Sequence, residues 1–307
     1  MSGVITTGNI SRLLQEGIKS VFGQAYDKHE MQWNMIFDED SSMKKFELDQ
    51  QLEGFGLASV KNEGSGIAYD SQQEGFAPKY DNLTYAKGFI VTKEALEDEL
   101  YNIFTSKARA LAFSMQQTKE NVGANILNRG FNPAFTMPGG DGVELFSTAH
   151  VRGPTDGSTY SNELATPAAL SEAALEDLLI QINEATDARG LRISIKGQRL
   201  IVPPKLGFEA ERIMNSTLQN DTANNAINAI RSMGLLPGGF MVNNYLTSDT
   251  AWFIKTNAPD GLKYFTRKAV EFDQDNEFDT KNIQFSAVER YSFGWTDPRG
   301  CFSSQGV

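Results

Sequence analysis

The chain has little sulfur or imidazole chemistry to work with. Cys301 is the one cysteine among 307 residues, so neither an intrachain disulfide framework nor a thiolate zinc site is available. His29 and His150 are the two histidines, and neither sits at a metal-ligand spacing. Positive charge is also short: Lys plus Arg total 28 against 39 Asp plus Glu, a net charge of −11. A surface that grips phosphates must be basic, so tight nucleic-acid binding and docking on anionic membranes are not expected. No apolar run approaches the roughly 20 residues that cross a bilayer. Residues 1–19 lack a basic stretch followed by an apolar core, so no secretory leader is expected. The single cysteine fits synthesis in a reducing cytosol.

Several catalytic signatures are missing as well. There is no Gly-x-x-x-x-Gly-Lys-Ser/Thr loop, and Gly54-Phe55-Gly56 lacks the third glycine and following helix of a dinucleotide fingerprint. Asp273-Gln274-Asp275-Asn276-Glu277 begins like a calcium loop, but Phe278 and Gln284 stand where such a loop needs Gly and Glu, which leaves a solvated acidic turn. His150 follows a Ser-Thr-Ala turn and could serve a hydrolase as general base. No nucleophile signature accompanies it, so a structural or surface role is expected. Cys301 reads as an incidental residue of the tail. No catalytic residue, cofactor or metal is expected, and the chain is not read as an enzyme.

What is present is ordinary globular composition, 40% hydrophobic and 22% charged, with 20 phenylalanines to dominate the core. Residues 1–43 form an arm in which Ile10, Leu13, Leu14, Ile18 and Phe22 have helical spacing. Residues 44–91 predict a long β-hairpin. Phe46 and Leu48 alternate going out, Leu83, Tyr85, Phe89 and Val91 alternate coming back, and Lys61-Asn62-Glu63-Gly64-Ser65-Gly66 supplies the turn. A two-stranded hairpin is marginal alone in water, so this one needs another surface to lie on, such as a neighbouring subunit.

Residues 93–129 give the strongest helix signal, through Leu96, Leu100, Ile103, Phe104, Leu111, Met115, Val122 and Ile126, with Thr92 as cap and Gly130 as stop. Thr166-Pro167 predicts the start of a second helix, with Leu175, Leu178, Leu179 and Ile182 on its buried face and Gly190 at its end. Leu200-Ile201-Val202, Phe240-Met241-Val242 and Ala251-Trp252-Phe253-Ile254 read as strands. Pro203-Pro204 leads into a helix through Phe208, Ile213 and Met214, and 269–293 alternate again. With no linker visible, the parts form one continuous α+β unit.

Arm, long hairpin, spine-like helix, mixed body and late strands, in that order, resemble the major capsid proteins of tailed bacteriophages with the Hong Kong 97-like fold. Specific strings resemble Mu-like major head subunits: Gly88-Phe89-Ile90-Val91-Thr92-Lys93-Glu94, Asp141-Gly142-Val143-Glu144-Leu145-Phe146-Ser147 with His150, Leu200-Ile201-Val202-Pro203-Pro204, and Tyr291-Ser292-Phe293-Gly294-Trp295-Thr296-Asp297-Pro298-Arg299-Gly300. The resemblance runs from about Asp27 onward and rests on order and spacing rather than on one diagnostic motif.

The resemblance implies an N-terminal arm (1–43), an extended loop (44–91), a first part of the P-domain (92–166) with its spine helix (93–129), an A-domain (167–262), and return strands of the P-domain with a C-terminal tail (263–307). It implies hexamers and pentamers that close into an icosahedral virion shell around double-stranded DNA, with the loop over the neighbouring subunit. Shell expansion would be a rigid-body rotation of subunits. Expected partners are further copies of the chain, a portal, an optional decoration protein and, because the chain begins almost at the arm, a separate scaffolding protein, the alternative being that the chain is already a mature product. Expected intersubunit contacts are Phe46, Leu48, Lys61, Lys79, Tyr85 and Phe89. The family's type member joins a loop lysine covalently to a neighbour's asparagine. Lys61 and Lys79 lie in the matching hairpin, where solvated lysines or ordinary ion pairs are the plainer expectation. The alternative reading is an encapsulin-type nanocompartment shell, which shares this fold.

Overall fold

Leu200-Ile201-Val202 and Trp252-Phe253-Ile254 are apolar without alternation, the pattern of strands buried on both faces. The computed structural model places both in one sheet inside the body. It describes residues 7–92, 94–95, 103–154, 157–219, 226–277, 279 and 282–307, the side chains of 7–16 and 103 excepted. In chain order, helix α1 (Thr7–Asp27) precedes β1 (Asp38–Ser41), β2 (Phe46–Leu48), β3 (Lys79–Asp81) and β4 (Leu83–Val91). Helix α2 (Ile103–Asn128) leads to β5 (His150–Val151), β6 (Thr159–Tyr160), α3 (Glu172–Asn183), β7 (Gly197–Val202), α4 (Gly207–Asn215) and α5 (Ala229–Met233). Strands β8 (Phe240–Val242), β9 (Trp252–Thr256), β10 (Leu262–Asn276), β11 (Ile283–Trp295) and β12 (Cys301–Ser304) follow.

Two four-stranded sheets organise the body, ordered β1-β10-β11-β4 and β12-β9-β7-β8. In the second, Leu200, Val202, Trp252 and Ile254 face a core with Leu175, Leu178, Leu179 and Ile182 of α3. Ile201 and Phe253 face the opposite way, into a cluster with Trp33, Phe146, Tyr264, Tyr291 and Trp295 that joins the two sheets. Burial on both faces leaves no polar alternation to read. A third cluster packs Ile18 and Phe22 of α1 and Phe104, Leu111 and Met115 of α2 against Phe272, Ile283 and Phe285.

The described part of the spine-like helix, Ile103–Asn128, is about 39 Å long at 1.5 Å per residue. Thr92 accepts a hydrogen bond from the Ala95 amide at 3.3 Å, as a cap does, while Leu96 and Leu100 lie outside the described residues. Other expectations shift. Helix α3 starts at Glu172 instead of Pro167, because Ser171 is the cap and its hydroxyl accepts from the Ala174 amide. It stops at Asn183, and Gly190, with φ +79°, belongs to the turn beyond. Cys301 is not a tail residue: it opens β12, which pairs with β9, and its thiol is wholly buried. Asp273, Asp275 and Asn276 are in strand β10 instead of an acidic turn. Strand β4 leaves the hairpin and pairs along its whole length with β11, from Leu83 opposite Tyr291 to Val91 opposite Ile283.

That pairing brings Gly88 so close to its partner strand that an added Cβ would overlap the Phe285 carbonyl oxygen. Backbone cannot swing aside as a side-chain tip can. Gly88→Ala therefore destabilises the subunit by about 1–3 kcal/mol, the cost of overpacking, against a gain of only about 0.4–1 kcal/mol from a stiffer unfolded chain. A urea melt of the two proteins measures it, and an unchanged midpoint contradicts the close approach.

Candidate functional site

Residues 46–81 leave the body and return to it. The outgoing limb, β2, pairs antiparallel with β3, Phe46 opposite Asp81 and Leu48 opposite Lys79. The ladder continues beyond the strands: Asp49 N–H donates to the Pro78 carbonyl at 3.0 Å, Gln51 to Phe76 at 2.8 Å, and Glu53 to Gln73 at 3.0 Å. At the far end Ser65 N–H reaches the Asn62 carbonyl at 3.2 Å, and Gly64 takes φ +79°, which closes the turn where the sequence placed it.

The root of this loop is fixed to the body. Lys263 Nζ lies 2.5 Å from Asp49 Oδ2 and 2.7 Å from Asp260 Oδ1. The Thr296 hydroxyl is 2.8 Å from the Tyr80 hydroxyl and donates to Asp49 Oδ2 at 2.5 Å. Asn82 donates to the Ser42 hydroxyl at 2.7 Å, and Ser292 donates to Asn82 Oδ1 at 3.1 Å. Further out the surface becomes apolar and open. Leu57 is 83% exposed, Val60 91%, Ile67 65% and Tyr69 93%.

The expected contact residues divide between root and sheet. Phe46 and Leu48 are exposed on β2. Lys79 lies over the Phe46 ring at 4.7 Å and pairs with Asp81 at 2.9 Å. Lys61 is exposed beside the turn. Tyr85 and Phe89, on β4, are half-buried and stacked within the subunit, Tyr85 on Tyr291 at 4.4 Å and Phe89 on Phe285 at 4.9 Å.

The histidine considered for catalysis is a structural brace. His150 is fully buried, its Nδ1 2.6 Å from Asp141 Oδ2 and its Nε2 3.2 Å from the Leu145 carbonyl, so both ring nitrogens are engaged within the fold, with no Ser, Thr or Cys side chain of the described residues at either. Burial raises the Cys301 thiol far above its ordinary range, so it stays protonated and inert. Among the described residues no group of His, Cys, Asp or Glu could hold a metal ion, and no helix is long and apolar enough to cross a membrane.

One buried polar cluster had no sequence signal. Lys119 Nζ of α2 is 2.7 Å from Glu289 Oε2 of β11, and both side chains are at least nine-tenths buried. The Tyr26 hydroxyl at the end of α1 donates to the same carboxylate oxygen at 2.9 Å, and Lys119 donates to Tyr26 at 2.7 Å. Burial, then the Glu289 charge, raises the tyrosine above its usual range.

Residues 77–304 match the family described as Phage capsid protein. The chain belongs to that family. Its fold is that of solved shells. It is similar to the capsid of a native GTA particle (12% identity, 87% of each chain, TM-score 0.55). It is likewise similar to the procapsid of bacteriophage JBD30 (13% identity, 98% of this chain and 76% of that one, TM-score 0.54). A virus-like particle from Pyrococcus furiosus is similar too (14% identity, 94% and 98%, TM-score 0.52). No curated protein sequence matches the chain. The protein is therefore a structural subunit of a viral capsid shell, α+β with the Hong Kong 97-like fold. The nanocompartment alternative is not favoured: the likeness to the archaeal particle carries the fold alone, whereas the family is that of phage capsids.

Proposed function

We propose that this subunit builds a tailed-phage head from hexamers and pentamers that enclose double-stranded DNA. The observation that carries the reading is the apolar loop beyond Gly56, open in the subunit and rooted through Asp49, Tyr80 and Asn82. Phe46, Leu48, Lys61 and Lys79 contribute the loop's side of the contact with a neighbour, and the half-exposed Tyr85 and Phe89 stand at its margin on β4. Residues 1–43 are the arm, 44–91 the extended loop, 92–166 and 263–307 the P-domain, and 167–262 the A-domain. Each contact is modest, but closed rings repeat it, and repetition multiplies affinity without any single strong bond.

Partners in this reading are further copies of the chain, a separate scaffolding protein, a portal and an optional decoration protein, and synthesis is in the bacterial host. The protein works by assembly and has no turnover of its own. Its net charge of −11 suits a wall that surrounds DNA without adhering to it. The test is negative-stain electron microscopy and sedimentation of the purified protein, alone and co-expressed with its scaffold. Closed shells or rings of five and six are expected. A monomer that persists with the scaffold present, its loop protected from protease, would overturn the reading. Tight DNA binding by empty shells at physiological salt would overturn the charge argument.

A further inference from the structure

The loop is held at a second place, well beyond its root, and that place divides it into a fixed part and a free part. Arg189 lies in the turn between α3 and β7. Its Nη1 pairs with Asp70 Oδ2, and its Nη2 donates to the Ser71 carbonyl at 2.6 Å. The same Asp70 oxygen accepts the Gly56 amide at 2.8 Å from the opposite limb. One guanidinium and one carboxylate therefore tie both limbs to one turn. The approach at Gly56 is close: a Cβ there would stand 3.3 Å from Arg189 Nη1 and 3.4 Å from Asp70 Oδ2. The limbs meet the body a second time nearby, where a Cβ on Gly153 would overlap the Glu53 carboxylate and touch Ala188 at 3.5 Å.

The turn is itself built to stay in place. Asp187 Oδ1 accepts the amides of Arg189 at 2.9 Å and Leu191 at 2.8 Å, and Gly190 takes the left-handed φ of +79° that closes it. Arg299, almost wholly buried, donates from Nε to the Thr186 carbonyl at 2.8 Å, pairs with Asp297 at 3.2 Å and lies 4.1 Å from the Tyr160 ring centre. The anchor of the clamp thus reaches back into the body through the turn that precedes β12.

We propose that Arg189 is a positioning residue for assembly: with Asp70 it clamps both limbs of the loop to its own subunit, so that residues 57–69, with Leu57, Val60, Ile67 and Tyr69, are the part that projects freely beyond the clamp to meet a neighbour. This rests on the shell reading above and adds how the loop is aimed. A free hairpin would sample many directions and lose that entropy on docking; a clamped one has already lost most of it. Guanidinium geometry matters, since two separate acceptors are engaged by a planar fork that a lysine cannot reproduce. The Gly56 amide first, and then Arg189, hold the Asp70 carboxyl below its usual range. A group depressed in the folded state contributes above its unfolded value and is lost as pH falls through the folded one, so the carboxylate is available to the clamp throughout neutral pH.

The experiment compares the full chain with Arg189→Ala, Arg189→Lys, the exchanged pair Arg189→Asp with Asp70→Arg, and Val60→Asp. Limited proteolysis, melting temperature and shell yield are read for each. For Arg189→Ala the melting temperature is unchanged, cleavage at residues 54–56 and 70–72 rises about tenfold as the limbs open locally, and shell yield falls severalfold. The exchanged pair recovers part of both, and the lysine variant falls between. Unchanged cleavage in Arg189→Ala would show that no clamp exists. Increased cleavage with normal shell yield would show that the clamp does not aim the loop. If instead Val60→Asp assembles normally, the shell contact through the loop is wrong, whatever Arg189 does.

Discussion

Val60→Asp combined with Tyr69→Asp leaves the subunit folded and abolishes shells. The two side chains are 91% and 93% exposed, so the isolated subunit has almost no contact to lose there. Its melting temperature stays within about 2 °C of the parent, the behaviour of surface changes worth under about 0.5 kcal/mol. Assembly responds differently. Burying one large apolar side chain against a neighbour is worth about 1.5–3 kcal/mol, and a buried unpaired carboxylate reverses the sign. Each subunit in a closed ring both gives and receives the contact, so the loss repeats at every interface.

Sedimentation and electron microscopy beside a thermal melt make the measurement. Normal shells would remove the loop tip from assembly. A fall in melting temperature of about 5 °C or more, equivalent to about 2 kcal/mol or above in a chain of this size, would mean that the tip packs on its own subunit, and lost assembly would then say nothing about contacts. Lys61→Ala serves as a comparison, because it removes a charge at the same tip without placing one in an apolar contact.

The loop was legible because its residues announce it. Lys61 to Gly66 is turn chemistry, set in a glycine-rich stretch between two strand-like ends. The far limb was misread in part: Leu83 to Val91 alternates as a hairpin strand would, but alternation cannot say which strand is the partner, and the partner is β11. The start of α3 was placed at Pro167 because proline suits a first helical turn, while the cap that decides is Ser171. Strands as short as His150–Val151 carry no periodicity. The clamp was out of reach for another reason. Asp70 and Arg189 are far apart in the chain, each is an ordinary charged residue in a polar stretch, and only the folded turn brings them together. Asn162 is the same kind of case. Fully buried, it donates to the carbonyls of Leu145, Pro298 and Cys301 at 2.6, 3.1 and 3.2 Å, tying three distant segments, with nothing local to mark it.

Lys119→Met is expected to cost more stability than any other single change considered. The methionine keeps most of the bulk among the rings of Tyr26, Trp33, Tyr264 and Tyr291 that surround the ammonium at 5.2–6.0 Å. What disappears is the cation. Glu289, 1% exposed, is left with the Tyr26 hydroxyl, while its second oxygen already has no hydrogen-bond partner among the described residues. Breaking a buried pair from one side typically costs about 3–5 kcal/mol, because an uncompensated charge remains in low dielectric. Glu289→Gln leaves the opposite charge, on Lys119, without its counter-ion, and costs less only because the amide oxygen can still accept from both Lys119 and Tyr26. Replacing the whole cluster with Lys119→Met, Glu289→Leu and Tyr26→Phe returns stability to within about 1–2 kcal/mol of the parent, as buried ion pairs exchanged for apolar groups commonly do. Urea melts of these variants measure the coupling directly. If Lys119→Met alone costs under 1 kcal/mol, the pair is wet and the geometry misleads. The position of the cluster raises the stakes beyond stability. Tyr26 ends α1, Lys119 lies on α2 and Glu289 on β11, so one charge cluster fixes the arm, the spine-like helix and the central sheet in register. Hydrogen exchange in Lys119→Met should therefore rise first in the last turns of α1, ahead of the second sheet, whose core under Trp252 and Phe302 is separate.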